Sequence, residues 1–195
     1  MIISASIQAA NQLNLLDDIL KNKSKFDQIH LDITDGHFTN NISMSFQHLK
    51  QLKLQTNYLV DVHLMLENNT KYTEIAYDYG ADLVNIHYES TDFKEYLHLT
   101  KKYSTLGIGI LPETPLNEIA EYINYSYSVL LLGVTPGFSN QLPVIDFKQK
   151  LSEFNKLYPS YEGLIILDGG ISTHEIPYLF ENGASIVVQG GAIFA

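Results

Sequence analysis

Two hydrophobic periods take turns along this chain, and that alternation limits its fold more than any other feature. Stretches in which apolar residues alternate with polar ones, or simply run on, have the period of strands. Stretches with apolar residues three and four apart have the period of helices. Strand-type segments cover 1–7, 26–33, 58–64, 83–87, 107–111, 128–132, 164–167 and 185–188. Helix-type segments lie between them at 11–20, 45–54, 69–79, 92–103, 115–123, 146–157 and 173–181. Pro115 opens one helix where no amide donor is needed, and Gly80 and Gly183 stand where helices stop. Val129-Leu130-Leu131-Leu132 and Leu164-Ile165-Ile166-Leu167 are apolar on successive residues, as parallel strands covered on both faces are. Eight such units, spaced about 25 residues apart with no linker, predict one α/β domain over 1–195. The expected architecture is a closed (β/α)8 TIM barrel, with an open doubly wound sheet as the alternative. No helix-type segment follows the eighth strand, so the barrel is expected to lack its final helix. An apolar strip of wall between the last and first strands would then be left for another subunit, as in a homo-oligomer, or a rearranged helix to cover.

Composition removes several function classes. No run of 18 apolar residues occurs, so no membrane span is expected. Met1-Ile2-Ile3-Ser4-Ala5 reads as a strand and not as a signal peptide. There is no Cys, which excludes disulfides, thiolate metal sites and a Cys nucleophile, and fits a cytoplasmic protein. The formal net charge is -10, and every one of the 12 basic residues is Lys. Nucleic acid is therefore not an expected partner. Without Arg, any phosphate site must rely on backbone N–H groups, helix N-termini or Lys. Lys21, Lys23 and Lys25 form the one local basic cluster, read as a solvated helix end.

The segment 29–38 carries the most chemistry. Ile29, Leu31 and Ile33 alternate with His30 and Asp32, which puts the imidazole and the carboxylate on one face of a strand that stops at Asp35-Gly36. In a parallel barrel the working groups gather at the C-terminal ends of the strands. His63 ends the third strand and Asp168 the seventh, so His30, Asp32, His63 and Asp168 are expected to meet over the barrel mouth. Two imidazoles and two carboxylates make a mixed N/O set that suits a divalent metal such as Zn, Fe(II), Mn or Co. Taken singly, each has an ordinary reading: a strand His is a core or surface residue, and Asp-Gly is a turn. Together they are harder to dismiss, because burying four such groups unpaired is costly. Asp61 faces the same way as His63 and is expected to orient a ligand from behind. His87 and Glu89 are read as wall or supporting groups, and His37 as a loop residue. Glycines follow three late strands, in Thr135-Pro136-Gly137-Phe138, Asp168-Gly169-Gly170 and Gly190-Gly191, where backbone N–H groups can approach an anion closely. Ordinary turns are the alternative reading of those glycines.

In order along the chain, these motifs resemble the ribulose-phosphate 3-epimerase family, including its allulose-6-phosphate 3-epimerase relatives. The matching segments are Ser4-Ala5-Ser6-Ile7, 29–38, Asp61-Val62-His63-Leu64-Met65, Gly80-Ala81-Asp82, Thr135-Pro136-Gly137-Phe138, Leu167-Asp168-Gly169-Gly170, Gly183-Ala184 and Gly191-Ala192-Ile193-Phe194. The resemblance implies a divalent metal on His30, Asp32, His63 and Asp168, with Asp32 and Asp168 also serving as the acid/base pair. It implies a small sugar phosphate as substrate, D-ribulose 5-phosphate first, converted to D-xylulose 5-phosphate through an enediolate. Ser6, His63 and Met65 would meet the substrate. Gly137, Phe138, Ser139, Asn140, Gly169, Gly170, Gly190 and Gly191 would hold its phosphate.

The chain also departs from the family pattern. Thr34 stands for a usual Met, Thr39-Asn40 for Val-Pro, Gly133 for a small hydroxyl residue, Thr135 for Asn, Asp or Glu, Ser139-Asn140 for Gly-Gly, and Gly191 for Ser. These changes are expected to thin the apolar lining, loosen the loop after the second strand and alter the phosphate loop. They motivate two rivals: an allulose-6-phosphate epimerase, and a non-catalytic sugar-phosphate-binding relative.

Overall fold

The computed structural model describes residues 1–194. Eight parallel strands close into a barrel in sequence order, β1 pairing with both β2 and β8. The strands are β1 Ile2–Ser6, β2 Gln28–Thr34, β3 Val60–Met65, β4 Leu83–His87, β5 Leu106–Ile110, β6 Ser128–Leu132, β7 Leu164–Asp168 and β8 Ile186–Gln189. The helices between and after them are α1 Leu15–Lys21, α2 Phe46–Gln55, α3 Asn69–Asp78, α4 Phe93–Lys102, α5 Ala120–Ile123, α6 Phe147–Leu157, α7 Ile176–Glu181 and α8 Gly191–Phe194. The closed barrel therefore stands and the open sheet does not. Two segments read as single helices begin instead as 3-10 turns, at Leu116–Ile119 and Thr173–Glu175.

Helix starts follow local chemistry. The Asp92 and Asp146 carboxylates accept backbone N–H bonds at the openings of α4 and α6, and Ser45 and His48 form a reciprocal pair at α2. The wall strip expected to be bare between β8 and β1 carries the single turn of α8. Ile193 is buried there, the Phe194 ring lies 6.4 Å from that of Phe26, and Lys25 Nζ donates to the Ile193 carbonyl at 2.9 Å.

The main apolar core lies between strands and helices, filled by the outward residues of the strands, such as Ile29, Leu31, Val62, Ile86 and Val129. The barrel interior is divided. Leu83, Leu130, Leu132, Ile166, Ile186 and Val188 form an apolar half. Facing them, β2, β3 and β4 turn His30, Asp32, Asp61, His63, Asn85 and His87 inward, all buried. Period-two alternation places these polar residues on one face, and the β2–β3 register sets His30 beside Asp61 and Asp32 beside His63. Glycine makes room for them on β5: a Cβ at Gly107 would overlap both Asn85 Oδ1 and Ser128 Oγ.

Candidate active site

The four expected residues converge. His30 Nε2 lies 3.2 Å from Asp32 Oδ1 and 3.5 Å from Asp168 Oδ2, and His63 Nδ1 lies 3.1 Å and 3.5 Å from the same two oxygens. One atom from each residue falls within 4.8 Å of the others. Both imidazoles are fully buried, and 7% and 12% of the Asp32 and Asp168 side chains stay exposed, so the cluster opens to one side only. Burial alone would lower the pKa of His30, but the carboxylates of Asp32, Asp61 and Asp168 outweigh it and hold that pKa well above the ordinary value. His63 is raised against the same burial penalty, by hydrogen bonds to Asp168 and Asp32. Burial pushes the Asp32 and Asp168 carboxyls up, and the imidazoles, His30 foremost, pull both below the usual range.

Whether a divalent metal fits can be judged from the donors. His30 Nε2 is buried and finds no hydrogen bond of proper geometry among the described residues, although it points at two carboxylates. Its other nitrogen, Nδ1, contacts Asp61 Oδ2 at 2.8 Å. Asn85 Nδ2 donates to Asp61 Oδ1 at 3.0 Å, and Ser128 Oγ donates to Asn85 Oδ1 at 2.7 Å. An Nε2 without a hydrogen-bond partner, aimed inward and backed by a carboxylate on Nδ1, is how a metal-binding histidine is held. The donor set fits. Asp61 is thus the expected orienter, acting on His30.

His63 is backed differently. Its Nε2 meets His87 Nε2 at 2.8 Å, and His87 Nδ1 meets Glu89 Oε2 at 2.9 Å. His87 is packed between the His63 ring at 5.0 Å and the Phe38 ring at 4.8 Å. His63 is fully buried and does not line the open space above, but its Nδ1 faces Asp32 and Asp168, which do.

That space is a cavity of about 340 Å³. Asp32 and Asp168 form its floor, with Ser6 and Met65 beside them. Ser6 Oγ donates to Asp32 Oδ2 at 2.8 Å, holding the carboxylate oxygen that the imidazoles do not. Gly137, Phe138, Ser139 and Asn140 form one rim, and Gly169, Gly170, Gly190 and Gly191 the facing wall. Gly137, Gly169 and Gly170 have positive φ, which only glycine adopts readily.

Two expectations drawn from the departures need correction. Thr34 does not line the cavity; its hydroxyl donates to the Asn41 carbonyl at 2.8 Å. Thr39 does not loosen its loop. It is buried and donates to the Pro136 carbonyl at 2.9 Å, while the Asn41 and Gln8 amides both donate to the Gly137 carbonyl. Loops after β1 and β2 thereby clasp the loop after β6 over the cavity. Gln8, Asn41 and Gln141 were not singled out from sequence, because a glutamine or asparagine in a polar loop carries no pattern. Gly133 has a structural reason: a Cβ there would overlap the Phe147 ring.

Comparisons with known proteins agree with this arrangement. The family model of the Ribulose-phosphate 3 epimerase family matches residues 2–194. The ribulose-phosphate 3-epimerase of Aquifex aeolicus is 34% identical over 174 residues, covering 86% of this chain and 78% of that protein. That of Methanocaldococcus jannaschii is 32% identical over 199 residues, covering 98% and 83%. Among solved structures, a 3-hexulose-6-phosphate synthase superposes with a TM-score of 0.70 at 18% identity, covering 100% of this chain and 92% of that one, a likeness of fold. With barrel, cluster and cavity in agreement with a match running nearly end to end, the chain belongs to the ribulose-phosphate 3-epimerase family and is a carbohydrate epimerase of the isomerase class.

Proposed function

We propose that this protein inverts carbon 3 of D-ribulose 5-phosphate to give D-xylulose 5-phosphate, with Asp32 and Asp168 as the acid/base pair. The observation that carries this reading is the cavity floor: two carboxylates from β2 and β7, set against the same two imidazoles and open to one cavity. The hydrogen on carbon 3 lies next to the carbonyl at carbon 2, so its removal gives an enediolate. One aspartate takes that proton, and the other returns a proton to the opposite face of the planar intermediate. His30, Asp32, His63 and Asp168 would hold a divalent cation of the Zn, Fe(II), Mn or Co kind. Such a cation supplies Lewis-acid stabilisation of the oxygen charge that develops.

The chain's own residues supply the rest. Ser6 keeps Asp32 aimed by its hydrogen bond. Met65 lines the cavity beside Asp32 and excludes water from the reacting carbons. The phosphate is received by backbone N–H groups of the glycine wall together with the Ser139 and Asn140 side chains, in a chain without Arg to do it.

The test is proton exchange at carbon 3 of D-ribulose 5-phosphate in heavy water, followed by NMR with each metal in turn. Exchange with conversion to D-xylulose 5-phosphate supports the reading. Exchange confined to a ketohexose phosphate would replace the substrate, and none with either sugar would leave a binding protein. Asp32→Asn and Asp168→Asn should each slow turnover by about a hundredfold or more, the low end of general acid/base effects. Near-normal turnover in either variant would remove it from the mechanism.

A further inference from the structure

Glu89 lies outside the four-residue cluster, yet an unbroken run of contacts through His87 joins it to His63. We propose that Glu89 is a positioning residue which, through His87, fixes the nitrogen that His63 presents to the cluster. The inference rests on the metal reading above for its purpose, and on hydrogen-bond polarity for its content.

Carboxylates stand at both ends of this run of rings: Glu89 beside His87 Nδ1, and Asp32, whose Oδ1 lies 3.1 Å from His63 Nδ1. Glu89 Oε1 accepts the Leu111 backbone N–H at 2.8 Å and also the Thr114 hydroxyl. A backbone amide can only donate, so this oxygen must be an acceptor. Two donors on one oxygen, with a third partner on the other, keep Glu89 as a carboxylate; these bonds hold its pKa below the usual range although burial pushes it up. A carboxylate only accepts, so His87 Nδ1 at 2.9 Å must carry a proton and donate to Oε2. In a neutral ring, His87 Nε2 is then bare and accepts. Its partner at 2.8 Å, His63 Nε2, must donate. His63 Nδ1 is then left bare when that ring is neutral, against the competing pull of Asp32 and Asp168, which face the same atom. A carboxylate two side chains away thus favours the tautomer that can bind a cation, where Asp32 alone would favour the other. His30 reaches the same result in one step, from Asp61. The two ligands are set by separate carboxylates from β3 and from the turn after β4.

Glu89→Gln reverses the relay. The carbonyl of the substituted carboxamide would stay with the Leu111 N–H, because an NH2 there would face another donor. Its NH2 would then face His87 Nδ1, which becomes the acceptor. His87 Nε2 becomes protonated and donates to His63 Nε2, and the His63 proton moves to Nδ1, where it blocks the cation. Glu89→Ala only releases the relay without reversing it.

The experiment measures Zn2+ affinity of the whole chain by calorimetry, with the Co2+ absorption band as a second readout of coordination. Nitrogen-15 NMR of the metal-free histidines at alkaline pH, where the rings are neutral, reports the tautomers directly. In the unaltered protein we expect His63 protonated on Nε2 and His87 on Nδ1. Glu89→Gln should weaken Zn2+ binding by about ten- to a hundredfold, and more than Glu89→Ala does. A role in packing alone predicts the opposite order, since alanine leaves the larger hole. Equal affinities, the reverse order, or opposite tautomers in the unaltered protein would overturn the proposal. Absence of Zn2+ binding in the unaltered protein would instead remove the metal reading, with the tautomers still deciding the relay.

Discussion

Asn140 and Gly191 show how one position constrains another across the cavity. Asn140 is the single non-glycine residue with positive φ among the described residues, at 60°. Asparagine tolerates that conformation better than most side chains do. Its carboxamide occupies the space a side chain at 191 would need: a Cβ on Gly191 would overlap Asn140 Oδ1. The two departures from the family pattern, Asn at 140 and Gly at 191, are therefore one change, with a side chain removed from one wall and supplied from the other. Gly191→Ser should raise KM for the sugar phosphate by about tenfold, equivalent to about 1.4 kcal/mol, with kcat little altered. Asn140→Gly combined with Gly191→Ser should recover most of that loss. Steady-state kinetics on the two single variants and the double variant check it, and strictly additive losses would show the positions to be independent.

At the scale of elements, β5 answers β4. Gly107 leaves the interior open where Asn85 and Ser128 need the space, whereas a Cβ on Gly109 would meet the His87 ring at ordinary contact distance. Gly107→Ala should cost about 1–3 kcal/mol of stability, as overpacking of a filled core does, read from the denaturant midpoint. A neutral result would mean that Asn85 and Ser128 can move apart freely. The strands were legible because buried parallel strands show as apolar runs with few interruptions. The convergence of His30, Asp32, His63 and Asp168 was legible because they are those interruptions, placed at strand ends. The 3-10 openings ahead of α5 and α7 were not, since both turn types share the same apolar spacing over a few residues. Nor was the clasp of Thr39, Gln8 and Asn41 on 136–137. Which loops meet above a barrel depends on how the closed sheet sets its rim, and no single segment carries that. Glu89 was seen as a supporting residue, but its control of His63 needs the register of β3 against β4 and the position of the Leu111 amide.

At the scale of the whole molecule, the cluster makes stability depend on pH. His30 and His63 have raised folded values, so what they contribute is complete below the ordinary imidazole value of about 6.5 and is lost as pH rises through the folded values. His87, lowered mainly by burial, works in the opposite sense, one group against two. Asp32 and Asp168 have lowered values, so their contribution is complete above about 3.9 and is lost as pH falls through the folded values. Metal-free protein should be most stable between about pH 4 and 6.5, and urea midpoints from pH 4 to 9 check it. Stability that climbs steadily to pH 9 would contradict it. Saturating Zn2+ should remove the alkaline decline, because the cation takes the place of the protons.

The closure of the barrel has a consequence for biosynthesis. β1 takes its second neighbour from β8, the last strand of the barrel, and Asp168 reaches the cluster only with β7. Until β8 has left the ribosome, the nascent sheet is an open ribbon with the bare edges of β1 and β7 available to other chains. The first half of the protein meanwhile carries His30, Asp32 and His63 without their fourth partner. Closure of the sheet therefore waits for β8, and the interval before closure is when a holdase has an edge to grip.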